Sequence, residues 1–159
     1  MIKQRIYIET TLFNFYFDTD RGILHEATVQ LFKEIAAGKY EAFTSEYVVD
    51  ELKDAPAEKR DKMLKLIEEY EVKVLDYCLE AERIANLYVE VGIIPTKYHT
   101  DGLYIAIATI NNLDTIVSLN FQHIVKEKTR MGTALINAVH NYKAIKINSP
   151  MEVIENEEI

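Results

Sequence analysis

The constraint that most limits this chain is a change of period. Short β-branched and aromatic runs with the spacing of strands alternate with longer stretches whose apolar residues recur every three or four positions. Strands are predicted at 5–8, 41–44, 72–76, 115–119 and 144–147. Helices are predicted at 24–37, 46–52, 59–69, 79–91, 101–111 and 129–141. Gly38, Pro56 and Pro95 punctuate the alternation. Strand–helix–strand succession of this kind leads to a parallel sheet covered by helices on its faces. The expected fold class is therefore α/β, a three-layer α/β/α sandwich with a mostly parallel five-stranded sheet.

With 159 residues, 48% of them hydrophobic, the chain can bury a core as one domain. The expected organisation is a single domain over 1–150 with a C-terminal tail at 151–159. No apolar run approaches the roughly 18 residues of a membrane span, and the N-terminal segment runs straight into Ile6-Tyr7-Ile8-Glu9 without the apolar core of a secretory signal. A cytoplasmic protein with no membrane partner is expected. Cys78 is the only cysteine, which excludes an intramolecular disulfide and a thiolate zinc cage. A buried apolar thiol is its expected role.

In α/β sheets the ligand crevice lies beyond the carboxyl ends of the strands, where strand order reverses. Polar residues just after strands are therefore the first to weigh. Glu9 ends the first strand and Asn120 follows Ile116-Val117-Ser118-Leu119. If these strands are neighbours, both side chains open into one crevice. Asp101 heads a helix on which Ile105, Ala108 and Asn112 share its face. Converging carboxylates repel and call for a proton or a hard cation, and Mg2+ or Mn2+ takes oxygen ligands and completes its shell with water and phosphate. The chemistry that follows is phosphodiester hydrolysis by a metal-activated water. Each acid also has a structural reading. Thr100 can cap a helix on which Asp101 meets the dipole, and of Asp50 and Glu51, about 100° apart on a helix, only one can face a site.

Three ordered segments together resemble the PIN-domain family: Tyr7-Ile8-Glu9-Thr10-Thr11, then Thr44-Ser45-Glu46-Tyr47-Val48-Val49-Asp50-Glu51-Leu52, then Asp101-Gly102-Leu103-Tyr104-Ile105-Ala106-Ile107-Ala108 followed by Val117-Ser118-Leu119-Asn120-Phe121. That family is known for metal-dependent ribonucleases, including VapC-type toxins of toxin–antitoxin pairs. The resemblance implies catalytic residues Glu9, Glu51, Asp101 and Asn120, with Glu9, Glu51 and Asp101 holding Mg2+ or Mn2+ and Thr11 and Ser118 supporting them. It also implies endonucleolytic RNA cleavage, an antitoxin partner and a homodimer. Two departures stand out. Glu9 replaces the commoner Asp, adding a methylene, and Asn120 replaces an Asp, removing a negative charge. The second predicts weaker or manganese-preferring activity, and it keeps open a PIN-like module that binds RNA or protein without hydrolysis. A phosphorylated receiver domain fits poorly, because Asp76-Tyr77 is a weak phosphoacceptor site and no paired acids follow the first strand.

The net charge of −8 looks unfavourable for RNA, whose binding rests on Lys and Arg against phosphate. Its distribution alters this. Residues 120–146 carry Lys126, Lys128, Arg130, Lys143 and Lys146 against Glu127, a balance of 5 − 1 = +4, which leaves −12 for the rest. Lys126, Lys128 and Arg130 are the expected phosphate contacts, with a solvated helix face as the alternative. His123 is read as a loop anchor or a phosphate or metal contact, and His99 is ambiguous between the same roles. His25 and His140 show no ligand spacing. The run Leu12-Phe13-Asn14-Phe15-Tyr16-Phe17 suits core packing or base stacking, and Asn14 within it can reach toward the site.

Overall fold

The computed structural model describes residues 2–155. Five strands, β1 (Gln4–Ile8), β2 (Tyr40–Ser45), β3 (Lys73–Leu75), β4 (Thr115–Val117) and β5 (Lys146–Asn148), form one sheet in the order β3-β2-β1-β4-β5. Every pairing is parallel. Tyr7 is the centre of the register, opposite Phe43 on one side and Ile116 on the other. Ile6, Tyr7 and Ile8 are fully buried, which a strand covered by helices on both faces requires.

The helices are α1 (Thr10–Phe15), α2 (Ile23–Ala36), α3 (Glu46–Lys53), α4 (Ala57–Glu69), α5 (Leu79–Glu90), α6 (His99–Ile110), α7 (Glu127–Val139) and α8 (Pro150–Glu155). A single 3-10 turn, Thr96–Tyr98, precedes α6. α5 packs on α6 and α7, while α2 packs on α1 and α8. This is the expected three-layer sandwich. Strand order runs outward from β1 to β3, then returns to place β4 against the other side of β1. The order reverses between β1 and β4, which opens the crevice above their carboxyl ends.

Two helices depart from the sequence pattern. α1 begins directly after Glu9 and is too short for its period to show, and its aromatics go into the core: Phe13 is fully buried against Phe32, and Tyr16 packs on Phe32 and Tyr70. These four rings form one contiguous group around Phe32, as in the core reading, and Asn14 turns back to bond its own helix at the Thr10 carbonyl. The segment from 151, expected as a tail, is helical as far as Glu155 and buries Val153; residues 156–159 of that tail lie outside the described residues. Cys78 is half-buried rather than buried, at the position before α5. Asp101 sits in the first turn of α6, but the cap position is Tyr98, with no side-chain cap, rather than Thr100. Among the described residues no helix is long and apolar enough to cross a membrane.

The helical layer that holds α5 and α7 is packed to atomic contact at Gly132 of α7. A Cβ there would lie 2.6 Å from Ile93 Cγ1 and 2.8 Å from its Cδ1. Overpacking of this kind costs about 1–3 kcal/mol, against roughly 1 kcal/mol of helix propensity returned by alanine. Gly132→Ala is therefore expected to lower stability in urea denaturation. Ile93→Ala should cost less in that background than in the unmodified chain, and additive losses would mean the two positions do not meet.

Candidate functional site

Glu9 joins β1 to α1. Its backbone is extended and its N–H continues the ladder to the Val117 carbonyl, while its side chain folds back to cap α1. Oε1 accepts three hydrogen bonds, from Thr11 N–H at 3.1 Å, Thr11 Oγ1 at 2.5 Å and Ser118 Oγ at 2.8 Å. Each hydroxyl in turn accepts a backbone N–H from the strand β4 exit, Thr11 Oγ1 from Leu119 at 2.8 Å and Ser118 Oγ from Asn120 at 2.9 Å. Their protons are thereby directed at Glu9. Glu9 is only 2% exposed. Burial pushes its carboxyl up to about 7; the bonds from Thr11 and Ser118 act against that, and the charge of Asp101 adds to it.

Asn120 is wired at both ends of its amide. Oδ1 accepts from His123 N–H at 2.9 Å, and the Asn120 carbonyl takes the N–H groups of Ile124 and Val125, so the residue closes the loop after β4. With the oxygen so occupied, the amide NH2 is left for Asp101, whose carboxyl it stabilises in the charged form. Asp101 nevertheless lies high, at about 6, chiefly through burial, with the charge of Glu51 adding to the rise. Asn120 thus acts on Asp101 as a donor, at the position where the sequence lacks an acid.

Glu51 comes from α3 and is exposed, while its neighbour Asp50 turns away to the Tyr77 hydroxyl at 2.6 Å. Of the two adjacent acids, Glu51 alone is turned inward. Its Oε1 accepts the hydroxyl proton of Tyr104, which itself accepts from Thr10 Oγ1 at 3.0 Å. Tyr104 was not apparent as a site residue, yet it lies three positions after Asp101, on the same face of α6. Burial and the neighbouring acids hold its phenol well above the usual range, so it stays protonated. Glu9, Glu51, Asp101, Asn120, Thr11, Ser118 and Tyr104 form one connected cluster at the β1/β4 crevice.

No family model matches the sequence and no curated protein does. Among solved structures, a chain of VapBC2 from Rickettsia felis, crystallised bound to a DNA fragment from their promoter, matches over 92% of this chain and 98% of that one, with a TM-score of 0.59 and 12% identity. The chain has the PIN-domain fold. β1 and β4 are neighbours, the condition on which the sequence placed Glu9 and Asn120 at one crevice.

The carboxylate donors at this crevice are all oxygen, which suits a hard cation. Among the described residues no group of three or more His, Cys, Asp or Glu is arranged to hold a metal. Mg2+ is commonly held by only one or two carboxylates with the remaining positions filled by water and phosphate. Glu9 and Asp101 fit that role: both carboxyls are raised, Glu9 in part by the charge of Asp101, and a bound cation would relieve both.

The surrounding basic and imidazole groups divide. Lys126 precedes α7 and Lys128 lies exposed in its first turn. Arg130 is committed elsewhere, its Nε donating to the Ile147 carbonyl at 2.9 Å and its guanidinium pairing with Glu152 at 3.3 Å. The buried His123 ring has neither nitrogen hydrogen-bonded and stacks on Tyr98 at 4.0 Å. The loop is anchored by its backbone, through the N–H to Asn120 and the carbonyl that accepts from Thr129, and the ring serves as packing. His99 bonds Asn86, and His25 bonds the Phe15 carbonyl.

Raised carboxyls tie stability to pH. An acid whose folded pKa lies above its ordinary value stabilises the fold while protonated, and that contribution is lost as pH rises through the folded value. Glu9, moved from 4.5 to about 7, accounts for roughly 3 kcal/mol between those values. Asp101 acts in the same direction up to about 6. Glu41 and Asp114 are lowered by Lys73 and by the Arg5 N–H and Lys143, and so act at lower pH. In chelator, thermal stability is expected to fall from pH 5 to pH 8, and Mn2+ should restore it at pH 8. Glu9→Gln should flatten the profile; a profile that keeps its slope in that variant would locate the titration elsewhere.

Proposed function

We propose that this chain is a divalent-metal-dependent endoribonuclease that hydrolyses RNA phosphodiester bonds. The observation that carries the reading is the pair of buried acids Glu9 and Asp101 at the strand-order reversal, Glu9 raised by burial and by the charge of Asp101, and Asp101 raised by burial and by the charge of Glu51. Glu9 and Asp101 would hold Mg2+ or Mn2+, with Glu51 beside them. When bound, the ion supplies a water of lowered pKa for in-line attack on phosphorus. The chain's own residues hold the geometry. Thr11 and Ser118 fix Oε1 of Glu9, which leaves its other oxygen as the one that would meet the ion. Asn120 orients Asp101. Lys126 and Lys128 supply phosphate contacts at the start of α7, while Arg130 fastens that helix to β5 and α8.

The cellular setting of this reading is a cytoplasmic toxin of a toxin–antitoxin pair, silenced by an antitoxin protein and acting as a homodimer. The VapBC2 likeness and the exposed strip of Met131, Leu135 and Val139 on α7, which suits a protein partner, support it. One observation favours a second reading, a PIN-like module that binds RNA or protein without cleavage: Asn120 gives Asp101 a hydrogen-bond donor where the family pattern has an acid.

Cleavage of a single-stranded RNA in Mn2+ separates the two. Asp101→Asn is expected to lower the rate by about a hundredfold or more, as loss of a metal-holding carboxylate should. The binder predicts no cleavage by either protein. Asn120→Asp should tighten Mn2+ binding by about three- to tenfold, because a carboxylate then faces Asp101 in place of an NH2. Reversing charge at Lys126 and Lys128 together should weaken RNA binding and reduce its salt slope by roughly 1.4, the value for two contacts on a single strand. An unchanged slope would remove these lysines from the RNA path.

A further inference from the structure

The three acids of the cluster come from three separate elements, and one hydroxyl touches or adjoins all of them. Tyr104 is 1% exposed. Its ring lies 6.4 Å from that of Tyr7 at the centre of the sheet, which fixes the phenol from below. Its oxygen accepts from Thr10 Oγ1, the residue next to Glu9, so its single proton can go only to Glu51 Oε1. Its own helix carries Asp101 one turn earlier. The Glu51 carboxylate is close enough to raise Asp101 but does not complete a three-acid metal group with Glu9 and Asp101.

We propose that Tyr104 is a positioning residue that holds Glu51 back from the Glu9–Asp101 pair, so that Glu51 lines the substrate side of the centre instead of ligating the ion. This rests on the metal reading given above. Glu51 is exposed at the mouth of a cleft of about 300 Å³ lined by Tyr47, Asp50, Glu51, Asp54, Thr100 and Leu103. Held there, its carboxylate is placed to orient water or a substrate hydroxyl, and the ion keeps open positions for water and phosphate. A free Glu51, on a flexible side chain beside a dicarboxylate pair, would be drawn in as a third ligand. The ion would then be held tighter and the open position lost.

The consequence runs against the usual effect of removing a supporting residue, which weakens metal binding by about ten- to a hundredfold. Mn2+ titration followed by electron paramagnetic resonance of the free ion reads it directly, without reference to activity. Tyr104→Phe is expected to tighten Mn2+ binding by about fivefold, as a third carboxylate should, and to lower kcat with KM little changed. Glu51→Gln in the unmodified chain is expected to shift Mn2+ affinity by less than about fivefold, the remote effect of one exposed charge. Combined with Tyr104→Phe, it should cancel the gain. Asp101→Asn serves as the control for the centre itself. If that variant binds Mn2+ as well as the unmodified chain, the metal reading falls and this proposal with it. If Asp101→Asn abolishes binding while Tyr104→Phe leaves it unchanged or weaker, the metal reading stands and the role of Tyr104 is refuted. Should Tyr104→Phe not fold, Glu51→Gln alone decides, since a loss greater than about fivefold makes Glu51 a ligand and overturns the proposal.

Discussion

One oxygen atom, Oε1 of Glu9, ties together more of this molecule than any other. It ends β1, caps α1 and receives two hydroxyls whose oxygens grip the chain leaving β4. A buried carboxyl is costly to desolvate, and three hydrogen bonds compensate only part of that cost, which is why its pKa still rises. The strain of that burial and the architecture of the crevice are therefore one fact. The group that makes the β1/β4 junction rigid is also the group that most needs a proton or a cation. A shorter Asp at position 9 would have less reach to fold back over α1, so the extra methylene serves the junction as much as the centre.

Most of the architecture was legible because it is written in periods. β1, β2 and β4 read as apolar triplets or alternations, and α2 through α7 carry the 3.6-residue repeat, so the predicted elements match the observed ones to within a few residues. α1 and α8 were not, because six residues span less than two turns and show no repeat, and both are stabilised from outside their own sequence: α1 by the Glu9 cap, α8 by packing on α2 and β5. The adjacency of β1 and β4 was only conditional in the sequence, since strand order depends on crossovers that local patterns do not encode.

Which residues come together at the candidate site was legible, but their wiring was not. Glu9, Asp101, Asn120, Thr11 and Ser118 stand where the strand ends and helix start put them. What side chains do with their oxygens and protons is set by neighbours distant in the chain. Asn120 turns its oxygen to His123 and its NH2 to Asp101, which no spacing rule foretells. Tyr104 reads as one more apolar residue in Leu103-Tyr104-Ile105-Ala106, and only its distance from Asp101 hinted at a shared face. Arg130 looked like part of a basic stripe, but its position one turn into α7 aims it at Ile147 and Glu152.

That last arrangement makes the end of the chain an electrical component of the crevice wall. Glu152 on α8 neutralises Arg130, so the potential at the start of α7 is set by a helix that never approaches the crevice itself. A chain cut before Glu152 would lose more than the cover over α2. It would unmask the charge of Arg130, still tied to the Ile147 carbonyl, beside Lys126 and Lys128, and its attraction for polyanions would become stronger as its fold became weaker. Processing of a few terminal residues would thus move affinity and stability in opposite directions.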